Sequence, residues 1–351
     1  MNSRVCVIAA VLCFAAAQWL ASGPLTRLRG DVVANGDVFG ALQPGEFAGT
    51  LMLGGFRGVA CDLMWMRAQK AQDAGRYYES VAIAQAIRRM QPRFEQIWEF
   101  LAYNMAYNIA AETEDPEAKW AWFLAGAEFN IEGCLRNPNS DRLLRHLAWI
   151  FHHKGDDMKS RIAARSWKPL LDPVLAGVNR LLPADQRSAP LTEGMTQGNF
   201  RISERLYDAT LRLCAARGVH VRPIDRAMAV HAIEKDGNQL RNRGQHLAAL
   251  IRYLAALKRW DEVLAWARST PDHDDDAEQR RIHGGTAEHN QGRLRRKAQL
   301  LAEQLAENPA TGAAAKQLMS GSRWDEATTL LAGSGWRQTV AQVRVRWLDE
   351  P

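Results

Sequence analysis

The sequence predicts an all-α protein made of stacked antiparallel helix pairs that follow an N-terminal hydrophobic targeting helix. Apolar side chains recur at the helical period of about 3.6 residues over most of the chain. Glycine and proline interrupt this pattern at short intervals, which is typical of helices joined by tight turns. Of the 351 residues, 47% are hydrophobic and 24% are charged, so the chain can bury a sizeable core or form two domains.

Residues 1–23 have the pattern of a targeting segment. Arg4 precedes an apolar run from Val5 to Leu20, and the small residues Ala21-Ser22-Gly23 follow. This order is typical of secretory signals, and the run is slightly short of the ~20 residues of a comfortable membrane span. We predict a signal anchor, with residues 5–21 in the membrane and the body extracytoplasmic. A cleaved signal peptide would make the protein secreted or periplasmic, and a buried first helix of a cytosolic chain is the remaining alternative.

The rest of the chain divides into two helical blocks and two linkers. Residues 24–52 contain turn signals such as Asn35-Gly36-Asp37, which predict a linker. Residues 53–181 form the first helical block. Residues 182–199 are poor in periodic apolar side chains and rich in turn formers, which predicts a second linker before the second block, 200–351.

Three helices are predicted between residues 61 and 110. Gly75 suits the end of the first helix and a tight turn at Ala74-Gly75-Arg76. Pro92 cannot continue the second helix and biases Gln91 away from helical angles. The third helix carries an apolar stripe with the spacing i, i+3, i+4, i+7 and i+11, at Trp98, Leu101, Ala102, Met105 and Ile109.

Later helices have equally clear ends. Asp115-Pro116-Glu117 provides a cap, a proline at the first helical position and a carboxylate near the positive helix end. That helix is expected to end at Asn137-Pro138-Asn139, and another runs from Asp141 to Gly155. In the second block, a further break is predicted at Gly218–Pro223.

The order of helices and breaks resembles the tetratricopeptide repeat, a helix–turn–helix unit of about 34 residues. With Pro92 as the closing proline, one repeat opens at Cys61 and the next at Glu95. Gly75-Arg76-Tyr77 matches the turn between the paired helices, whereas Arg67 stands where a leucine is usual. The positions that match the family's aromatic, small or apolar residues are Trp98, Leu101, Ala102, Ser80, Ala84 and Ile87.

A short motif occurs three times and supports internal repetition. It consists of a basic residue, an aromatic residue, any residue, a glutamate and a small residue, at Arg76–Ser80, Arg259–Val263 and Arg323–Ala327. We predict that each copy lies at the turn and starts the second helix of a repeat. Ile251 stands where a small residue is expected, so the second block is predicted to be a degenerate, irregular solenoid.

The resemblance implies that function lies in the concave groove of the repeat. The groove positions it implies are Gln96, Glu99, Tyr103 and Tyr107, with Trp65, Gln69 and Asp73 from the preceding repeat. Tyr103 and Tyr107 lie at i and i+4, and amphipathic aromatic side chains are good peptide anchors. The alternative is that both tyrosines pack against a neighbouring helix and are buried. Together with the targeting segment and the absence of catalytic motifs, the resemblance predicts a non-enzymatic scaffold of the cell envelope that binds a protein or peptide partner.

Two other classes remain open. A helical enzyme acting on envelope glycan or peptide could use Glu95 and Glu99, which lie one turn apart. No GxSxG, HExxH or Cys–His constellation occurs, so no catalytic residue is predicted. The third class is a structural spacer without a ligand.

No metal, cofactor or nucleic acid is predicted to bind. The carboxylates in Pro271–Asp276 are consecutive, unlike the alternating ligands of a Ca²⁺ loop, and we expect a solvated loop. Cys61, Cys134 and Cys214 lack CxxC spacing and are expected to be buried without disulfides. The net charge of +6 is spread along the chain and forms no clustered basic patch.

Overall fold

The computed structural model describes residues 57–157, 168–184, 199–269 and 275–341. Over these ranges the chain is helical and contains no β-strand, which confirms the predicted all-α class for them. The chain divides into two compact units, the first ending at Ile97 and the second beginning at Trp98.

The predicted targeting segment, 1–23, and the first linker, 24–52, lie outside the described residues. Among the helices that the structure does describe, none is long and apolar enough to cross a membrane. The second predicted linker, 182–199, overlaps residues 185–198, which also lie outside, so that boundary stays a prediction.

The helices are numbered in chain order. The first two are α1 (Arg57–Asp73) and α2 (Tyr77–Met90). Next, α3 (Glu95–Tyr103) continues through a π-helical segment, Asn104–Ile109, into α4 (Ala110–Glu112). The remaining helices are α5 (Pro116–Arg136), α6 (Asp141–Asp157), α7 (Lys168–Leu181), α8 (Asn199–Arg217), α9 (Pro223–Asn242), α10 (His246–Arg268), α11 (Asp275–Leu305), α12 (Pro309–Ser320) and α13 (Trp324–Ala332). The predicted breaks at Gly75, Pro92 and Asn137 therefore fall between helices, and the break at Gly218–Pro223 ends at the first residue of α9.

In the first unit, α1 and α2 pack as a helix pair. Gly75 joins them with a φ of +72°, a left-handed conformation that suits glycine. Ser80 is fully buried, and its hydroxyl donates to the carbonyl oxygen of Ala68 at 2.9 Å. A small residue is needed at position 80 because the two helix backbones approach closely there.

Arg67, which departs from the leucine usual in the repeat family, is exposed on α1. Its guanidinium lies 3.1 Å from a carboxylate oxygen of Glu79, and Arg76 contacts the other oxygen at 2.8 Å. These hydrogen bonds, first that from Arg76 and then that from Arg67, hold the pKa of Glu79 below its ordinary value. The arginine therefore links α1 to α2 on their exposed side and does not disturb their packing.

The same turn occurs at three places, in Gly75–Ser80, Gly244–Ala249 and Ser322–Ala327. The first residue of each has a positive φ, of +72°, +77° and +55° respectively. The second residue has nearly identical φ and ψ in each, −85°/63°, −85°/63° and −88°/63°. The sixth residue is small and completely buried in all three. A common backbone geometry therefore starts α2, α10 and α13.

The prediction that Arg259–Val263 starts a helix is wrong. These residues lie inside α10, which runs without a break from His246 to Arg268. A helix start of this type needs a preceding residue with positive φ, and Lys258 is an ordinary helical residue before a fully buried Trp260. The turn equivalent to that at Gly75 lies instead at Gly244.

In the second unit, consecutive helices pack on one another. Helix α5 contacts the π-helical segment and α6; α6 contacts α8, and each of α8 to α11 contacts the next helix. The approach of α5 to α3 depends on Gly133, because a Cβ there would lie 2.9 Å from the Cβ of the fully buried Trp98. This packing fixes α3, the π-helical segment and α6 relative to one another, and these elements carry the site described next.

Candidate functional site

The predicted groove tyrosines belong to a cluster of four parallel rings. The ring centroids of Tyr103 and Tyr107 are 4.6 Å apart, with planes at 10°. The Tyr107 and Trp149 rings are 5.0 Å apart at 19°, and the Trp149 and His153 rings are 5.1 Å apart at 4°. We call Tyr103, Tyr107, Trp149 and His153 the aromatic stack. It joins the end of α3 and the π-helical segment to α6.

The π-helical segment sets the position of Tyr107. Its backbone N–H groups bond further back than in an α-helix, as when Ala110 donates to the carbonyl oxygen of Met105, five residues earlier. The buried Asn104 side chain donates to the Phe100 carbonyl oxygen at 2.9 Å. Segments of this type are rare and occur frequently at functional sites. The π-helical segment therefore marks the aromatic stack as a candidate site.

The rings of the stack differ in their access to solvent. Tyr103 is 38% exposed, and His153 is also exposed, whereas Tyr107 is only 9% exposed and Trp149 is half-buried. The anchor interpretation therefore suits Tyr103, while Tyr107 fits the alternative in which a tyrosine packs against a neighbouring helix. Tyr107 and Trp149 form the interior of the stack, and Tyr103 and His153 form its accessible ends.

Glu99 lies one turn before Tyr103 on α3 and is bound by an arginine. Nε of Arg142, on α6, donates to a carboxylate oxygen of Glu99 at 2.5 Å. This ion pair is the second connection between α3 and α6, beside the ring contacts of the stack. A guanidinium orients the carboxylate that it binds, so Glu99 adds a positioned polar group near the stack.

His146 lies on the buried side of Trp149. It is 8% exposed, its ring centroid is 6.1 Å from that of Trp149, and its Nδ1 lies 2.5 Å from Nδ2 of Asn130. Burial lowers the pKa of His146 to about 4, and the charge of Glu99 opposes this effect. His146 is therefore neutral at physiological pH and supports the stack as an uncharged ring.

The sequence-based prediction missed His146, Trp149 and His153. All lie on α6, far along the chain from the two tyrosines, and no local pattern connects them to Tyr107. A signal was nevertheless present, because positions 146, 149 and 153 follow the helical spacing i, i+3 and i+7 and place aromatic rings on one face.

The other predicted groove residues lie in the first unit. Trp65 packs edge-on against Phe94, with ring centroids 5.7 Å apart and planes at 66°. Gln69, Asp73 and Gln96 are exposed. Their role in a groove stays a prediction, and the aromatic stack contains none of them.

Among the described residues, neither metal-binding groups nor cysteines indicate a different functional site. Across the described ranges, no group of three or more His, Cys, Asp or Glu side chains could hold a metal ion. Residues 271–274 of the acidic run lie outside those ranges. Cys61, Cys134 and Cys214 are buried and form no disulfide, as predicted.

Over the described residues, the fold and the stack define an all-helical protein with a partly exposed aromatic cluster on two neighbouring helices. Comparisons with protein-family models, curated proteins and solved structures found no match. The function is therefore inferred from the chemistry of the aromatic stack.

Proposed function

We propose that this protein is a non-enzymatic scaffold that binds a protein or peptide partner at the aromatic stack. The observation that carries the proposal is the exposed ring of Tyr103 at the edge of a rigid stack. Tyrosine and tryptophan give large amphipathic contact areas with little conformational entropy to lose, which is why they dominate binding hot spots. Tyr103 is supported from behind by Tyr107 and Trp149, so it is already ordered before a partner binds.

The recurring turn favours a tetratricopeptide-like repeat as the scaffold. The same backbone angles and a buried small sixth residue occur in Gly75–Ser80, Gly244–Ala249 and Ser322–Ala327. Consecutive packing of α8 to α11 is the arrangement expected of a solenoid in which each helix contacts its neighbours. A solenoid of this kind would present the stack on an extended surface.

The stack and the adjacent ion pair suit an extended peptide that brings apolar rings or prolines. Aromatic surfaces bind such segments because flat apolar faces contact the rings without ordering new protein side chains. Glu99 and Arg142 supply a charged edge that would orient the peptide. In this proposal, residues 1–23 hold the scaffold at the cell envelope.

The enzymatic alternative receives less support. Of its two candidate carboxylates, Glu99 is engaged by Arg142. The spacer alternative would leave the exposed Tyr103 ring without a role.

Photo-crosslinking in intact cells tests the proposal. A photoreactive phenylalanine analogue would replace Tyr103, and a matched variant would carry it at Tyr78, an exposed tyrosine of α2. We expect one dominant adduct from position 103, which disappears when Trp149→Ala is added. Equal adducts from both positions, or none from position 103, would contradict partner binding at the stack, and the second result would favour the spacer.

A further inference from the structure

Residues 335–340 follow α13 and connect the end of α11 to the start of α10. We call these six residues the clasp. An isolated antiparallel bridge between Ala306, just after α11, and Trp336 anchors its first half. The Trp336 side chain is 6% exposed, and its Nε1 donates to the Leu330 carbonyl oxygen at 3.0 Å. This anchor uses backbone groups and an indole, which do not titrate near neutral pH.

The second half of the clasp closes on His246, the first residue of α10. The Val340 N–H donates to Nδ1 of His246 at 3.2 Å, and the Thr339 hydroxyl oxygen lies 3.0 Å from the same nitrogen. The Leu247 N–H donates to the Gln338 carbonyl oxygen at 3.2 Å. This bond satisfies one of the N–H groups that the first turn of a helix leaves open. The clasp therefore caps α10 and contacts its first side chain.

The contact with Val340 requires one protonation state of His246. A backbone N–H can only donate, so Nδ1 must carry a lone pair, and the proton of the neutral ring is then on Nε2. A doubly protonated imidazole has an N–H at both positions and accepts at neither. Protonation would therefore set two N–H groups against each other and break this contact. The Thr339 hydroxyl can turn to accept instead, but the Val340 N–H cannot.

The surroundings of His246 favour its neutral form. The residue is 6% exposed, so little water can replace a lost contact. Burial and then the positive charge of Arg241, at the end of α9, lower the pKa of His246, and a hydrogen bond with the Arg241 backbone opposes them. Thr339 and Val340 carry no charge, and the charged residues Arg243 and Arg337 are exposed. The closed clasp thus matches the form of His246 that prevails at neutral pH.

We propose that the clasp is acid-sensitive: protonation of His246 releases residues 338–340 from α10 while the anchor at Trp336 holds. Because folding lowers the pKa of His246 from its ordinary 6.5, the stabilisation is complete above pH 6.5 and is lost as the pH falls below it. Opening frees the Leu247 N–H and uncovers the Val340 side chain, which is half-buried against the core of the second unit. The proposal is independent of partner binding at the aromatic stack, because the two features share no residue.

Hydrogen exchange of the full chain at pH 7.5 and 5.0 tests the proposal, using mass spectrometry with electron-transfer fragmentation to resolve single amides. Protection factors are corrected for the intrinsic pH dependence of exchange. Those of Leu247 and Val340 should fall at least about threefold at pH 5.0, because each unit by which folding lowers a pKa contributes a factor of about ten. The Arg337 N–H, which donates to the Leu305 carbonyl oxygen at 2.8 Å, reports the anchor and should stay protected. Unchanged protection of Leu247 and Val340, or an equal loss at Arg337, would overturn the proposal.

Two substitutions of His246 separate its protonation from a general effect of acid. Asparagine has an acceptor oxygen close to the position of Nδ1 and does not titrate, so His246→Asn should keep the clasp protected at both pH values. His246→Lys has a charge and no acceptor, so Leu247 and Val340 should exchange freely at both. His289→Gln, at an exposed position of α11, is the control and should keep the original pH dependence.

Circular dichroism would confirm that the variants are folded, and the asparagine variant decides the matter if the lysine variant is not. The proposal is wrong if His246→Asn loses protection at pH 5.0 as the unmodified protein does. It is also wrong if the control abolishes the pH dependence, because the titrating group would then lie outside the clasp.

Discussion

Tyr107 stacks on Trp149, with ring centroids 5.0 Å apart and planes at 19°, and thereby joins the π-helical segment to α6. Tyr103 extends the stack from the same helix into solvent. The two tyrosines lie one helical turn apart on the same helix, but Tyr107 is buried within the stack and Tyr103 is accessible to solvent. Their roles can therefore be separated by experiment.

Replacing the two tyrosines should separate stability from binding. Tyr107→Ala should lower the free energy of unfolding by about 3 kcal/mol or more, because it empties a buried position between packed rings. Tyr103→Ala should lower it by less than about 1 kcal/mol and still abolish recovery of the partner from cells. Urea unfolding of both variants measures the first effect. Equal destabilisation by the two changes would contradict the division of roles.

The small residue after each recurring turn should resist enlargement. Ala327→Leu inserts extra methylenes at a fully buried helix contact and should cost about 1–3 kcal/mol of unfolding free energy. Val263→Leu, in the motif copy that lies within α10 and beside a cavity, should cost less than about 1.5 kcal/mol. Denaturant midpoints of both variants provide the comparison. If Val263→Leu lowered the free energy of unfolding more than Ala327→Leu does, the small residue after the turn would have no common role.

Two glycines should respond in opposite directions to alanine. Gly133→Ala places a Cβ 2.9 Å from two side-chain carbons of Trp98, so the helices must separate and stability should fall by about 1–3 kcal/mol. Gly285→Ala, within α11, meets no atom within 4 Å and should gain about 0.5–1 kcal/mol from the reduced entropy of the unfolded chain. Thermal unfolding measures both shifts, and the same sign for both variants would contradict this packing.

His146 should make stability depend on pH. Its pKa is lowered from 6.5 to about 4 in the folded state. Between these values the unfolded state binds more protons, so the stability contributed by neutral His146 is present above pH 6.5 and is lost as the pH falls towards 4. The loss should be about 3 kcal/mol over this range.

Urea unfolding at pH 7.5 and 4.5 tests this dependence. Between these two pH values, the loss of stability should be about 2 kcal/mol smaller in His146→Gln than in the unmodified protein. His289→Gln, at an exposed position of α11, is the control and should keep the original dependence. The prediction fails if the His146 variant and the control lose the same amount.

The buried ion pairs of Asp236 should be sensitive to the loss of one partner. This carboxylate is completely buried and contacts Arg201 at 3.0 Å and Arg252 at 2.7 Å. Asp236→Asn should therefore cost about 1–3 kcal/mol, because the partly exposed Arg201 and Arg252 lose their shared buried anion while Arg252 keeps Glu204. Asp325→Asn, which breaks an exposed pair with Lys258, should cost about 0–1 kcal/mol. Equal unfolding free energies of the two variants would count against this account.

Much of the helical framework could be predicted from the sequence. The ends of α1, α2 and α5 were predicted from Gly75, Pro92 and Asn137, because turn geometry and the missing proline N–H act locally. The second motif copy shows the limit of such reasoning. Arg259–Val263 has suitable residues, but only the backbone before it decides whether a helix can begin there.

The candidate site was predicted only in part, because the sequence shows relationships within one helix but not contacts between distant helices. Helical spacing placed Tyr103 and Tyr107 on one side of their helix, because this relationship depends only on the rise and rotation of the backbone. Helical spacing could not predict the π-helical segment, in which the Asn104 side chain donates to a backbone carbonyl oxygen. It also could not predict the rings that α6 contributes.

By itself, the sequence determined the helical class, the positions of most turns and the apolar stripes, because caps, breaks and periodicity act between residues close along the chain. The tertiary structure decided which tyrosine is buried and which ring stacks on it. Those properties arise from contacts between distant helices, and close approaches such as that of Gly133 to Trp98 determine which side chains meet.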